Sequence, residues 1–170
     1  MKIRLETENL TIIPFEDAYL NDYYCEFTKE ITHYQYPEPF TSVTNAKNLL
    51  EEFCDLMEKG QMLVLVIVSK TGEFIGSLEV HGLNEAYPEI GIWIKKSEHG
   101  KGYAFEALSM IINYMNNNYN KEYYTYEADI RNLASIRLVK KFNYIEMDIQ
   151  RITTETGKIL KLQTYLINDH

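Results

Sequence analysis

The segment MLVLVIV (62–68) constrains this chain more than any other. It is an unbroken apolar run rich in β-branched side chains, with no polar residue at alternate positions to face water. Such a run suits a strand buried on both faces, and a sheet with such a strand needs a covering layer on each side. Helical periodicity supplies those layers. In FEDAYLNDYYCEFTKE (15–30), Leu20, Tyr23, Tyr24 and Phe27 fall at helical spacing. After the turn-like YPEPFTS, Ala46, Leu49, Leu50, Phe53 and Met57 form a second stripe that Gly60 ends, and Ala104, Leu108, Ile111, Ile112 and Met115 form a third. Residues 3–13 alternate loosely as a first strand. FIGSLEVHGL follows MLVLVIV through the turn KTGE, and EIGIWIKK (89–96) and EYYTYEADI read as further strands. A short helix over Ala134–Phe142 and a terminal hairpin, IQRITTETGKILKLQTYLI, complete the chain. The expected order is β-αα-βββ-α-β-α-ββ. This is an α/β (α+β) fold: one domain over residues 1–170, with a mixed, mostly antiparallel sheet and helices on both faces.

Composition narrows the function. No stretch approaches ~18 apolar residues and MKIRLETENL lacks the apolar core of a signal peptide, so a cytoplasmic protein with no membrane partner is expected. Cys25 and Cys54 lie in helical segments and read as reduced thiols. His33, His81, His99 and His170 lack metal-ligand spacing, so no metal is expected. The excess of 25 acids over 17 bases, a net charge of −8, argues against a general nucleic-acid binder. Two basic islands stand out against it. RNLASIRLVKK (131–141) carries Arg131, Arg137, Lys140 and Lys141 with no acid, and KKSEHGK (95–101) carries Lys95, Lys96 and Lys101 against Glu98.

Between a strand and a helix, SEHGKGYAFEAL (97–108) places two glycines one residue apart. A helix N-terminus offers unpaired N–H groups and about half a positive charge, and small residues let a phosphate approach it. Gly100, Gly102 and Ala104 are small and Lys101 adds a full charge, so the loop reads as a polyphosphate site. It is not a P-loop, since no lysine-serine pair follows Gly102. Nor is it a dinucleotide fingerprint, since Phe105 stands where a third glycine is needed.

The run EHGKGYAFEAL resembles the acetyl-CoA loop of the GNAT acetyltransferases, with Gly102 and Ala104 matching and His99 standing where Gln or Arg is usual. NLASIRLVKKFNYIE (132–146) resembles the second segment of that family, Asn132 opening a short helix and Asn143-Tyr144 replacing its Gly-Phe ending. Asn is the best non-glycine residue for a left-handed helix stop, which is the role expected of Asn143. With ENLTIIPFEDA at the start, the resemblance spans nearly the whole chain. It points to the branch holding Rim-type protein N-terminal acetyltransferases and spermidine N-acetyltransferases.

The resemblance implies acetyl-CoA as co-substrate, with main-chain contacts to its pantetheine at Ile92, Trp93 and Ile94. It implies pyrophosphate on the amides of His99, Gly100, Lys101, Gly102, Tyr103, Ala104 and Phe105, and Asn132 beside the pantetheine. The basic islands, Lys141 included, would flank that path. Many relatives protonate the leaving thiolate with a Tyr that would fall at 139, where this chain has Val139. Rim-type relatives place a Ser at the position of Ser135 instead; its alternative role is to help cap the short helix. Glu89 is the candidate base, acting through water, or else a solvated strand residue. Tyr34, Tyr36, Phe40 and Trp93 would wall the acceptor pocket. The implied function is an acetyl-CoA-dependent N-acetyltransferase acting on a primary amine (protein N-terminus, polyamine or other small amine) by direct attack, since no cysteine lies in the motifs. The alternative is a non-catalytic acyl-CoA-binding module. Either could be a monomer or a homodimer.

Overall fold

Alternation along β3 (Met62–Ser69) sorts the whole molecule into two layers. Its odd residues Leu63, Leu65 and Ile67 join a core with Ala107, Leu108, Ile111, Ile112 and Met115 of helix α3 (Tyr103–Tyr119) and Val139 of helix α4 (Leu133–Val139). Its even residues Met62, Val64, Val66 and Val68 join a second core with Tyr23 of helix α1 (Leu20–Glu26) and Leu50 of helix α2 (Val43–Glu58). The run without polar residues is therefore a strand whose two sides meet different helix pairs. A computed structural model describes residues 3–169, leaving Met1, Lys2 and His170 outside it.

The other strands are β1 (Leu5–Glu6), β2 (Leu10–Pro14), β4 (Phe74–His81), β5 (Glu89–Ile94), β6 (Tyr124–Asp129), β7 (Asn143–Thr153) and β8 (Ile159–Asn168). They form one sheet in the order β1-β2-β3-β4-β5-β6-β8-β7. Every neighbouring pair is antiparallel except β5 and β6. Those two run parallel, share the single registered pair Glu89 with Thr125, and then separate. On the other side of β5 the strands press together: a Cβ on Gly76 of β4 would lie 2.2 Å from the Trp93 carbonyl oxygen, so only glycine fits there.

Four expectations need correction. The first strand is a hairpin, because the polar Thr7-Glu8-Asn9 turns the chain and the Thr7 amide donates to the Leu10 carbonyl. The first helix is a short 3-10 turn at Asp17–Tyr19 followed by α1, which ends at Glu26 with Phe27 as its cap, so residues 28–42 form a loop instead. The last hairpin begins at Asn143, six residues before the expected start, because β7 is an exposed edge strand with no burial alternation to betray it. Asn143 is not a left-handed stop. Helix α4 ends at Val139, and the Lys141 and Phe142 amides close a turn onto the Leu138 and Val139 carbonyls, so no reversal at 143 is required. The left-handed asparagine is Asn120, at φ 49°, which ends α3.

Candidate active site

Where β5 and β6 part, two cavities meet. One, of about 550 Å³, runs along Ile92, Trp93 and Ile94 to the glycine loop and the first turn of α3, with α4 on its far side. The other, of about 430 Å³, lies beneath the loop between α1 and α2, among Tyr34, Tyr36, Phe40 and Trp93. Ile92, Trp93, Tyr126, Asn132 and Ser135 line both, so the two form one cleft through the gap in the sheet.

The first cavity ends on a row of open donors. Gly100 and Gly102 have φ of 79° and 82°, and an added Cβ on either would meet nothing within 4 Å. Backbone conformation, not crowding, therefore demands glycine at both. Among the described residues the amides of Gly100, Lys101, Gly102, Tyr103, Ala104 and Phe105 have no acceptor. His99 differs from the expectation: its amide donates to the Lys96 carbonyl, and its ring Nε2, 2.7 Å from the Ile94 carbonyl oxygen, donates there and ties the loop to the end of β5. The open row thus begins at Gly100, and it suits an anion such as a pyrophosphate.

Most of the expected cationic flank is spent within the protein. Lys101 Nζ lies 2.6 Å from Glu98 and outside the cavity wall, Lys95 pairs with Glu73 and Lys96 with Glu30, each at 2.8 Å. Arg131 clasps Asp129 and lies over the ring of Tyr34. Of the two islands, Arg137 and Lys141 line the cavity, with Lys141 also 5.0 Å from the Phe105 ring centre.

In the second cavity, Tyr36 is 60% exposed at the rim, while Trp93 packs edge-on to Tyr23 at 5.1 Å and against Phe27 at 5.2 Å. Trp93 is therefore chiefly a core residue that shows part of its surface to the cavity. The covering loop is pinned from the C-terminal hairpin: Lys158 Nζ donates to the Thr32 and Gln35 carbonyls and pairs with Glu38 at 3.0 Å. Glu89 stays solvent-accessible at the cavity mouth, yet partial desolvation and the charges of Glu127 and Glu85 raise its pKa.

Ser135 sits at the junction. Its Oγ is 2.9 Å from the hydroxyl of Tyr126, a buried phenol whose pKa burial raises. Its capping role is limited to the backbone, since the Asn132 side chain accepts from the Ser135 amide while the serine hydroxyl takes no part. Val139, the last residue of α4, is fully buried in the core and does not reach the cleft. Cys25 and Cys54 are free thiols, and neither lines it. Among the described residues no group of three His, Cys, Asp or Glu could hold a metal ion, and no helix is long and apolar enough to cross a membrane.

Two groups escaped the sequence reading. Tyr126 is one of 14 tyrosines and carries no distinguishing mark in the sequence. Glu79 did carry a signal: Ser77, Glu79 and His81 are polar at alternate positions of an otherwise apolar strand, which puts all three on one face. Glu79 is 8% exposed, and burial pushes its pKa up to about 7 although Ser77 and Tyr23 donate to it.

The acetyltransferase (GNAT) domain family matches residues 9–144. The uncharacterized N-acetyltransferase p20 of Bacillus licheniformis is 30% identical over 147 residues, 82% of this chain and 81% of that protein. Among solved structures, the ribosomal L7/L12 alpha-N-protein acetyltransferase RimL in complex with coenzyme A superposes with a TM-score of 0.85 at 15% identity, covering 98% of this chain and 99% of that one. Spermidine N-acetyltransferase from Vibrio cholerae, in complex with coenzyme A and spermine, gives 0.82 at 17% identity, covering 95% and 97%. The open amide row, the cleft through the sheet and these matches agree: the chain belongs to the GNAT acetyltransferase family and is an acyltransferase.

Proposed function

We propose that this protein moves the acetyl group of acetyl-CoA directly to a primary amine, with both substrates bound in the cleft at once. The observation that carries this reading is the continuity of the two cavities through the gap between β5 and β6. One end offers open amides to a pyrophosphate and strand edges at Ile92 to Ile94 to the pantetheine amides, which would fill the gap much as an added strand does. The other end offers an aromatic and acidic pocket to an amine. Bound there, coenzyme A would supply the acyl thioester. Asn132 would lie beside the arm and the Ser135 hydroxyl beside the sulfur, where it can donate to the departing thiolate. Direct attack goes with the lack of a thiol in the cleft.

Three carboxylates in the acceptor cavity, Glu79, Glu89 and Glu127, favour a cationic amine: a polyamine, a protein N-terminus or another small amine. A cytoplasmic location belongs to the same reading, supported by the two free thiols. The test is thiol release from acetyl-CoA with pooled polyamines, amino acids, aminoglycosides and N-terminal peptides. Amine-dependent release is expected. Tight coenzyme binding with no release for any amine would leave an acyl-CoA-binding module instead.

A further inference from the structure

Glu79 lies in the middle of β4, on the face covered by α1 and α2, opposite Val64 of β3 and Gly91 of β5. Its two oxygens are treated differently. Oε1 accepts from Ser77 Oγ at 2.5 Å and from the Tyr23 hydroxyl at 3.2 Å. Oε2 accepts from no group among the described residues, and it is not sealed from the cavity that Glu79 lines. Across the strand pair a Cβ on Gly91 would lie 3.4 Å from Oε2, in van der Waals contact, so the glycine leaves the space beside this oxygen open. A carboxylate in a central strand costs stability unless its oxygens are hydrogen-bonded or paired, and here one oxygen is anchored while the other is left bare.

We propose that Glu79 is the proton acceptor for the attacking amine, receiving on Oε2 the proton that the substrate ammonium must lose. Tyr23 and Ser77 are positioning residues that hold Oε1. This assignment rests on the acetyl-transfer reading above and replaces Glu89 as the base. The ammonium gives one proton to Glu79 and becomes a neutral amine. Its nitrogen then forms a bond to the acetyl carbon as the carbon–sulfur bond breaks. The second nitrogen proton ends on the thiolate, giving the amide and free thiol, and Glu79 returns the first proton to water. No other reactant is required.

The groups facing Glu79 set how it titrates. Tyr23 stands over it from α1, Tyr34 and Tyr36 from the loop above, His81 beside it on β4, Glu89 on β5 and Glu127 on β6, while α2 presents only Leu49 and Phe53. Burial lowers the pKa of His81, leaving it neutral at pH 7, and burial raises that of Tyr23 well above the phenol range, leaving it a donor. Burial pushes the pKa of Glu79 itself up to about 7, close to neutral pH. A base there matches the operating pH without being permanently protonated.

The test compares the wild-type protein with Glu79→Gln, Glu89→Gln and Tyr23→Phe. In the free protein, infrared difference spectra should show a protonated carboxyl band titrating near pH 7, absent in Glu79→Gln. With acetyl-CoA and either spermine or an N-terminal-serine tetrapeptide, kcat/KM should rise with pH along a limb at the same midpoint. Glu79→Gln should lower kcat by roughly 10²-fold or more and abolish that limb, while calorimetry shows unchanged coenzyme A affinity. Tyr23→Phe, which removes a bond favouring the carboxylate, should move band and limb together to higher pH. A merely structural Tyr23 would move neither. A limb retained in Glu79→Gln, or lost in Glu89→Gln instead, overturns the assignment of Glu79 alone. Coenzyme binding by the wild-type protein without turnover of any amine overturns the acetyl-transfer reading and this one with it.

Discussion

Replacing Ser135 by alanine separates a catalytic hydroxyl from a structural one, because the structure limits what else the change can do. The helix cap survives: Asn132 accepts from the Ser135 amide, which alanine retains. What disappears is the 2.9 Å bond to the Tyr126 hydroxyl, on a tyrosine only 5% exposed. Stranding a buried donor costs about 1–3 kcal/mol, and the adjoining cavity admits water to replace the serine, so the lower end applies. For a chain of this size about 1 kcal/mol is a fall of roughly 2–4 °C in Tm. The catalytic cost is larger. A donor whose contact strengthens as charge develops on sulfur is worth ~10²–10³ in kcat, with little change in the KM for acetyl-CoA. Tyr126→Phe should reproduce part of that loss, and the double variant should fall no further than Ser135→Ala alone if the phenol acts through the serine. Melting curves and steady-state kinetics on the three purified variants are sufficient. A Tm lowered by a few degrees with kcat intact would refute the catalytic role.

Two further outcomes test the frame around the cleft. Gly102→Val forces a β-branched residue to φ 82° at the N-cap of α3, at a cost of about 1–2 kcal/mol, and puts its methyls beside the open amides; calorimetry should show coenzyme A affinity lost with the fold retained, and micromolar binding would mean that these amides do not hold phosphate. Asp129 is fully buried; burial opposes its ionisation, but donation from Arg131 and the Lys161 amide outweighs it and depresses the pKa from 3.8 to about 2. Because the folded value lies below the unfolded one, this stabilisation of roughly 2–3 kcal/mol is present above pH 4 and is lost as pH falls from about 4 to 2. Asp129→Asn should therefore lower Tm at pH 7 and lose its disadvantage in acid, and a Tm gap independent of pH would refute it.

Elements with buried faces were legible because burial imposes a period. The run at 62–68, the stripes of α2 and α3 and the glycine pair all carried their structure in the sequence. Elements without that constraint were not. Strand β7 is exposed along nearly its whole length, so nothing in its pattern marked Asn143 as its start, and Asn143 looked like a helix stop by analogy alone. Charge was misread for a related reason. A lysine in sequence is a free cation, but here Lys95, Lys96 and Lys101 each face a carboxylate, Glu73, Glu30 and Glu98, and the last is only three residues from its partner. The pairing of Lys101 with Glu98 was available from spacing; the other two required the fold.

Glu79 and Tyr126 show why a site built on a sheet hides its chemistry. Side chains along a strand alternate, so Ser77, Glu79 and His81 face α1 and α2, while Tyr124, Tyr126 and Ala128 of β6 face α3 and α4. A slip of one residue in either strand would exchange the two sets. On the reading above, the amine loses its proton on one side of the sheet and the thiolate is met on the other, and the passage between them is the gap where β5 and β6 stop pairing after Glu89 and Thr125. Had those strands stayed paired to their ends, both residues would still be buried and both pKa values still displaced, yet they would serve two unconnected pockets. Chemistry at this site depends on a missing stretch of hydrogen bonds as much as on any side chain present.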